Sequence, residues 1–499
     1  MYKEIQKEDV VKVLDKLKDG FKARIGAEIG EENAEKLLSD VVILPDVYGF
    51  PPLAGFIPPL EWNEYAVVTH GGKTYIASHS YRGVSEALEY VKDTAKRENG
   101  TFASPSFDKP RRRKVSSFPT DIPDYGHGRY VGAFDHGDGN YGFIVEGTTE
   151  REFDSYINRT ENCGYLRKKE TVIDGNRYVL FKNGADRMIY AYFSPAAKRA
   201  SVIGGSDTYT DISVAGDEAV CSPVLWQGHP SASNGGMGMS YFLRLSDGSF
   251  FVIDGGFNDN GEEDDLYDAL RSLNVRPDGI KIRVWLITHG HDDHYNTLRG
   301  FVANKADKVT VEKIVFSQTH GDYLKNSDTV WHWDIRGFAD AFAGCAFVRP
   351  FAGQRWRLPG CAVDVLFSAQ DAFNNPFYIK SLNNASTVIR INACGQTILF
   401  PADIEADSAD ILCGCFGNNL KCDVLQIAHH GYHGASDEFY TYCQPKLVLY
   451  PVMEGYDKRF DNMEHGNYVW RRLPSVKEVV PSYSGSRGFV LPYDPDNKE

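Results

Sequence analysis

A short run of histidine and aspartate residues is the part of the sequence best suited to chemistry. It reads Thr288-His289-Gly290-His291-Asp292-Asp293-His294, so three imidazoles and two carboxylates lie within six residues. Imidazole nitrogen and carboxylate oxygen are ligands that suit zinc and neighbouring transition metals. A solvated polar loop is the alternative, but it does not account for so dense a set of ligands. The run therefore predicts a metal site.

A strand directly before this run must position it. Residues 281–287 are mostly apolar and rich in β-branched side chains, which is the pattern of a buried strand. The ligands then follow on a tight loop at a strand end. Two later strand ends carry the same residue types: 396–400 ends before Asp403, and 424–428 ends before His429 and His430.

The His-x-His-x-Asp-His spacing resembles the signature of the metallo-β-lactamase superfamily. The resemblance implies an αβ/βα sandwich in the C-terminal part of the chain and a site for two metals. It also implies that His289 and His291 bind one metal, while Asp293 and His294 bind the second. Asp292 falls at the variable position of the signature and is not assigned as a ligand.

Later loops complete the site in this superfamily, which makes Asp403, His429 and His430 candidate ligands. Asp403 is placed to bridge two cations; alternatively, it caps the helix predicted to contain residues 404–412. Behind the signature, we favour the metal role. We predict His429 as the ligand of the second metal because it is nearer to the strand end, as His289 is. His430 is its rival.

Three other residues have candidate roles. His320 follows the strand-like residues 313–316 and is a candidate third histidine on the first metal, although a surface position suits it almost as well. Asp254 resembles the buried aspartate of the superfamily's first motif, which orients metal ligands by hydrogen bonding. His433 is a candidate acid or phosphate contact, and a solvated loop position is the favoured alternative.

One branch of the superfamily resembles the chain further. The segments Asn383-Asn384-Ala385-Ser386, Asp403 and His429-His430-Gly431 are similar to those in competence-type DNA-uptake proteins and phosphorylcholine esterases. The chain departs from that branch at Ala402 in place of Gly, at Tyr432 in place of Ser, and at Asn296-Thr297 in place of Gly-Gly. The resemblance covers residues 220–495 and does not imply DNA uptake.

These residues predict a metal-dependent hydrolase with Asp293, Asp403 and His433 as catalytic candidates. Two divalent cations are expected, with zinc first and manganese or iron as alternatives. They lower the pKa of a shared water towards ~7, so that a metal-bound hydroxide attacks an ester. The branch resemblance favours a phosphoester or phosphodiester. The first alternative is a thioesterase or lactonase of the same fold.

A hypothesis of another class is a ligand- or carbohydrate-binding multidomain protein with a structural or vestigial metal site. A vestigial site should have lost ligands, whereas this set is nearly complete. A structural zinc needs four protein ligands and no open position. The surplus of His and Asp fits an open, catalytic site better.

Composition limits the partners. The net charge of -14 opposes binding to nucleic acid or to an anionic membrane, although it leaves room for a local basic groove. We therefore predict a small-molecule or ester substrate, and the oligomeric state stays open. The first residues lack the apolar segment of a signal peptide, and no run approaches the ~18 apolar residues of a spanning helix. We accordingly predict a cytoplasmic protein.

The nine cysteines are scattered, and only Cys413-Gly414-Cys415 is close-set. A zinc knuckle or a redox pair is one interpretation of this segment. Free thiols in a reducing compartment are the favoured one.

The chain divides by pattern into four segments. We predict an α/β accessory module at 1–98, a linker at 99–128, a second small α+β module at 129–215 and the hydrolase domain at 216–499. The predicted fold class is thus α/β, a metallo-β-lactamase sandwich preceded by two small α+β modules. Within the linker, the basic run 109–114 could contact phosphates, but a flexible connector is favoured. Ser85 is the predicted cap of a helix reaching about Arg97.

Overall fold

The protein is described here by a computed structural model that covers residues 7–44, 57, 59–98, 101–103, 105–214, 218–229, 238–258, 261–318, 335–373, 377, 379–457 and 466–497. Its contacts group the chain into two compact units. The first comprises Met1–Glu170, Val179–Asp207 and Phe373–Tyr378, and the second comprises Thr171–Tyr178, Thr208–Ala372 and Ile379–Glu499. The segment boundaries given above stay a prediction.

The first unit contains helices packed on antiparallel and mixed sheets. Its helices are α1 (Lys7–Ile29), α2 (Glu31–Leu38), α3 (Tyr81–Thr94) and α4 (Glu150–Asn162). Its strands are β1 (Val41–Leu44), β2 (Glu64–His70), β3 (Lys73–Ser78), β4 (Lys96–Glu98), β5 (Thr101–Ala103), β6 (Arg111–Lys114), β7 (Arg129–Gly137), β8 (Asn140–Glu146), β9 (Leu166–Ile173), β10 (Asn176–Asn183), β11 (Arg187–Ser194) and β12 (Arg199–Ser206); the turn from β9 to β10 belongs to the second unit. They form sheets in the orders β1-β3-β2-β6 and β7-β8-β12-β11-β10-β9, and β4 pairs with β5.

One hydrophobic core joins the two larger sheets of this unit. Trp62 lies before β2, and its ring centroid is 5.3 Å from that of Phe143 on β8 and 5.4 Å from that of Phe118. Side chains from α1, α2, α3 and α4 belong to the same cluster of buried residues. The helices therefore cover both sheets with a continuous apolar interior.

Two predictions in this unit were wrong. The helix predicted to start at Ser85 begins earlier, because Ser80 caps it by accepting a hydrogen bond from the Gly83 N–H at 2.9 Å. The basic run is a strand and not a flexible connector, since β6 pairs antiparallel with β2. Arg112 pairs there with Glu64, and this neutralises part of its charge.

The second unit holds two large sheets. Its strands are β13 (Val224–Gln227), β14 (Ser240–Arg244), β15 (Phe250–Asp254), β16 (Ile280–Leu286), β17 (Val309–Val311), β18 (Lys313–Val315), β19 (Ala346–Val348), β20 (Arg355–Leu358), β21 (Cys361–Phe367), β22 (Val388–Ala393), β23 (Gln396–Phe400), β24 (Val424–Gln426), β25 (Leu447–Tyr450), β26 (Glu478–Pro481) and β27 (Arg487–Val490). Its α-helices are α5 (Glu262–Leu273), α6 (Asp292–Asn304), α7 (Ala406–Phe416) and α8 (Asp437–Cys443). Short 3-10 helices lie at Ile335–Ala341, Ala369–Asp371, Leu382–Ala385, Gly417–Leu420, Gly466–Arg472 and Ser482–Ser484.

The two sheets face each other across an apolar core. The first has the order β19-β18-β16-β15-β14-β13-β27, with β17 also paired to β16, and the second has the order β20-β21-β22-β23-β24-β25-β26. Phe251 and Ile253 of β15 point into the core between the sheets, while Phe250 and Val252 pack on the other face with Leu266 and other residues of α5 and α6. The predicted sandwich is confirmed. Among the described helices, none has the length and apolar character needed to cross a membrane.

Candidate metal centre

Polar residues meet at the carboxyl ends of strands from both sheets of the second unit. β15 runs parallel to β16, and β23 runs parallel to β24, so the members of each pair end at the same edge. Asp254 ends β15, His289–His294 follow β16, Asp403 follows β23, and His429–His430 follow β24. Loops at such strand ends are the usual place for ligand sites in layered α/β domains.

Four side chains from these loops form a compact group. Potential ligand atoms of Asp293, His294, Asp403 and His430 all lie within 4.8 Å of one another. Asp403 Oδ2 is 3.3 Å from His294 Nε2 and 3.4 Å from His430 Nε2. Asp293 Oδ2 is 3.1 Å from His430 Nε2. The strand ends thus bring together residues that are more than a hundred positions apart in the chain.

Asp254 fixes the direction of His294. Its Oδ2 is 2.8 Å from His294 Nδ1 and accepts a hydrogen bond from the Thr288 hydroxyl at 2.9 Å, while its Oδ1 accepts from the Thr288 N–H at 2.8 Å. The Nδ1 side of the ring is therefore occupied, and Nε2 is directed at Asp403. This geometry has the form expected of a carboxylate that orients a metal-binding histidine.

His430 is oriented in the same way by a carbonyl group. Its Nδ1 lies 2.9 Å from the Pro451 carbonyl oxygen, which can only accept. Nδ1 must therefore carry a hydrogen. In the neutral ring this leaves Nε2 with its lone pair, pointing at Asp293 and Asp403.

The charges in this group oppose one another. Burial lowers the pKa of His430, but the carboxylates of Asp403 and Asp293 outweigh it and raise the pKa to about 9. Burial raises the pKa of Asp403, yet His430 and His294 together bring it well below its usual range. Two carboxylates thus create a strongly negative interior that attracts a proton or a cation.

His289 and His291 form a second pair of nitrogens beside the group. His289 Nε2 is 3.0 Å from His291 Nδ1 and 3.9 Å from Asp403 Oδ2. Burial, together with His294 and His291, lowers the pKa of His289 well below its usual value, so the ring is neutral. Neutral imidazole is the metal-binding form.

A divalent cation fits this set of side chains. His294 Nε2 faces Asp403 Oδ2 at 3.3 Å without hydrogen-bond geometry, and the buried Asp403 Oδ1 has no hydrogen-bond partner within the described residues. Unpartnered buried polar atoms are costly and rare, and a cation among them would remove that cost. Imidazole and carboxylate are also the donors that zinc, manganese and iron accept.

His429 lies apart from the four-residue group, contrary to the preference stated above. Its Nε2 is 3.2 Å from Asn383 Nδ2, its Nδ1 is 3.9 Å from Glu405 Oε1, and burial lowers its pKa to about 4. The backbone explains the difference, because His429 has φ 48° and His430 has φ 54°. This left-handed turn directs His430, and not His429, to the carboxylates; which of the two histidines binds a metal stays a prediction.

The remaining candidates are His433, His320 and Asp292. His433 is exposed, and its ring centroid is 4.1 Å from that of Tyr432. His320 lies outside the described residues. Asp292 accepts a hydrogen bond from the Asp293 N–H at 3.1 Å, in keeping with its omission from the ligand set.

Several supporting residues were not predicted from the sequence. Asn384 Oδ1 accepts from the N–H groups of Glu405 and Ser408, both at 3.2 Å, and so holds the start of α7 next to Asp403. Ser386 Oγ accepts from the Asp403 N–H at 3.3 Å. The Asn-Asn-x-Ser motif at residues 383–386 directly precedes β22, and this position was the available sequence signal.

Known proteins are similar to the part of the chain that contains this site. Residues 233–358 match the family model of the metallo-beta-lactamase superfamily, a span that includes Asp254 and His289–His294 and ends before Asp403. The competence protein ComA of Neisseria gonorrhoeae is 26% identical over 146 residues, which are 29% of this chain. The chain covers only 20% of the length of that relative.

Solved structures show weaker similarity. The metallo-beta-lactamase fold protein YhfI from Bacillus subtilis is 13% identical, with 54% of this chain and 100% of that chain covered and a TM-score of 0.34. CmlA, a diiron beta-hydroxylase from Streptomyces venezuelae, is 12% identical, with 95% and 86% covered and a TM-score of 0.31. The short form of human tRNase Z is 15% identical, with 46% and 90% covered and a TM-score of 0.28.

Proposed function

We propose that this protein, whose C-terminal part contains a metallo-beta-lactamase superfamily domain, is a metal-dependent hydrolase that acts on a phosphoester or phosphodiester. The observation that carries the proposal is the buried group of two carboxylates and two imidazoles at the strand ends. Its unpartnered nitrogen and oxygen atoms are satisfied when a cation binds. A polar cluster that served only to stabilise the fold would have its hydrogen bonds completed within the chain.

Two cation positions are proposed, and Asp403 belongs to both. Asp293, His294 and His430 would hold one cation, while His289 and His291 would hold the other. His320, which lies outside the described residues, is the proposed additional ligand of the second position. Bound cations supply the charge that makes water a nucleophile at neutral pH and stabilises the leaving oxygen.

The side chains of the site have separate tasks in this proposal. Asp293 has 18% of its side chain exposed, whereas Asp403 and His430 have 2% each. Asp293 is therefore the carboxylate that substrate and water can reach, and it would orient the attacking water. Asp403 is too enclosed for proton exchange with solvent and serves to hold both cation positions together. His433, on the exposed loop, is a proposed contact for the substrate.

The choice of a phosphoester rests on the branch resemblance around Asn383, Asp403 and His430. A thioester or a lactone would find the same nucleophile and the same positive charge. The proposal is therefore tested with substrates of all these kinds.

The experiment uses the 499-residue protein, stripped with a chelator and then supplied with Zn²⁺, Mn²⁺ or Fe²⁺. Bis(p-nitrophenyl) phosphate, p-nitrophenyl phosphate, a thioester and a lactone are compared. We expect metal-dependent turnover with a phosphate ester as the best substrate. Turnover of only the thioester or lactone would overturn the substrate class, and no turnover of any substrate at full metal content would overturn the enzyme proposal.

A further inference from the structure

The turn that presents Asp403 has an unfavourable backbone conformation. Ala402, which directly precedes Asp403, has φ 52° and is 1% exposed. A side chain with a Cβ is disfavoured in this left-handed region, where glycine is free of the clash. Something outside the turn must hold Ala402 in place.

The neighbouring strand cannot hold it by backbone pairing alone. β23 ends at Phe400, and residue 401 is a proline without an N–H group, so the ladder between β23 and β24 is interrupted there. Ala402 follows immediately, next to the end of β24. Its peptide groups are buried and need partners.

The side chain of Gln426 provides these partners. Gln426 is the last residue of β24 and is fully buried. Its Oε1 accepts a hydrogen bond from the Ala402 N–H at 2.8 Å, and its Nε2 donates to the Ala402 carbonyl at 3.1 Å and to the Ile427 carbonyl at 2.6 Å. The Gln426 amide therefore forms hydrogen bonds with both the N–H and the carbonyl group of Ala402.

The same contact connects the two loops that carry ligands. The Ala402 carbonyl also accepts a hydrogen bond from the His429 N–H at 3.0 Å. His429 lies in the loop that carries His430. His430 lies four residues after Gln426, in the loop that follows β24. The Ala402 peptide, which bonds to the Gln426 amide, thus also joins the Asp403 turn to the loop that carries His430.

We propose that Gln426 is a positioning residue for the metal site: its amide holds Ala402 in the left-handed conformation that points Asp403 at the cations. The inference rests on the proposed function only in taking Asp403 as a metal ligand. It explains how an alanine can occupy a turn that favours glycine. It also predicts that the metal site depends less on the Gln426 amide when residue 402 is glycine.

The chain offers a matched control. Gln396, at the opposite end of β23, makes the same two-bond contact with a backbone: its Nε2 donates to the Tyr493 carbonyl at 2.7 Å, and its Oε1 accepts from the Tyr493 N–H at 2.7 Å. At similar side-chain length, methionine removes three backbone hydrogen bonds at residue 426 and two at residue 396. Only Gln426 lies at the ligand loops.

The test measures Zn²⁺ affinity by competition with a chromophoric chelator, together with the Tm of the metal-free protein. Gln426→Met should lower the affinity about 10- to 100-fold, the range for residues that support metal ligands. Gln396→Met should lower the Tm and leave the affinity unchanged. Adding Ala402→Gly to Gln426→Met should restore at least part of the affinity, because glycine adopts this φ without support.

Each other result has a definite meaning. Equal affinity in Gln426→Met and the original protein overturns the inference, as does an equal loss in Gln396→Met or a failure of Ala402→Gly to restore binding. If Gln426→Met does not fold, Gln426→Asn, which keeps a shorter amide, takes its place under the same criteria. Absence of Zn²⁺ binding in the original protein would overturn the proposed function along with the inference.

Discussion

The loop after β16 and the loop after β24 bring histidines to the same place by different backbone routes. In the first, His291 occupies the position before α6, and Asp293 and His294 lie in the first turn of that helix. In the second, His429 and His430 both have positive φ, whereas residues in right-handed helices and in strands have negative φ. The first arrangement follows from residue spacing, whereas the second depends on a turn whose direction spacing does not reveal.

Asp403 is the residue on which both loops converge, and its replacement should have the largest effect. Asp403→Asn keeps the shape but removes the charge that faces His294 and His430. We expect turnover to fall on the order of 10³-fold, together with loss of bound metal, because the transition-state charge and the cations both lose a partner. Metal analysis and initial rates on the same preparation measure this.

Asp371→Asn is the matched control for that change. Asp371 is also a buried carboxyl of the second unit, where it accepts hydrogen bonds from the Ser368 N–H at 2.9 Å and the Ser368 hydroxyl at 3.0 Å. Burial raises its pKa to about 8, so the neutral amide resembles its protonated form. Metal content and rate should be unchanged, and a loss as large as that of Asp403→Asn would show that any buried carboxyl of this unit matters equally.

The difference between the loop after β16 and the loop after β24 also decides how much of the site could be predicted from the sequence. The run His289–His294 and Asp403 were expected at the site because their residue types follow strand ends, and Asp254 because it resembles an aspartate of the superfamily's first motif. Both signals are local in the sequence. The direction of His430, rather than His429, towards the carboxylates could not be predicted, since it depends on backbone φ values that residue spacing does not reveal. The position of β6 could not either, because its partner strand lies more than forty residues earlier and its own composition is that of a solvated segment.

The adjacent histidines should also differ in how pH affects stability in chelator-treated protein. The pKa of His430 is raised to about 9 from 6.5, so its stabilising contribution is complete below pH 6.5 and is lost as pH rises through 9. The pKa of His429 is lowered to about 4, so its buried ring stays neutral in the folded protein as pH falls from 6.5 towards 4. The unfolded chain takes up a proton at His429 in this range, and the folded state therefore loses stability. We expect changes of ~3 kcal/mol in each range.

Denaturant unfolding at a series of pH values measures this difference. His430→Asn should flatten the alkaline side of the profile, and His429→Asn should flatten the acidic side. The interpretation of the two environments would be reversed if each variant altered the opposite side.

The smallest effect is expected in the first unit, away from the metal ligands. Arg112→Ala removes the ion pair with Glu64, whose side chain is 11% exposed, while Arg112 itself is 34% exposed. A partly exposed pair of this kind contributes about 1 kcal/mol or less to the free energy of unfolding. Unfolding in urea should show that small loss, and metal content and rate should stay unchanged; a fall in metal content would show that the first unit contributes to the site.

The most direct test of the proposed metal centre compares bound metal in the original protein, His430→Ala and His429→Ala by elemental analysis. We expect about two ions per chain in the original protein, a clear loss in His430→Ala, and near-complete metal in His429→Ala. If His429→Ala loses the metal and His430→Ala retains it, the assignment of this loop is wrong. If the original protein binds no metal after exposure to Zn²⁺, Mn²⁺ and Fe²⁺, the proposed metal centre is contradicted.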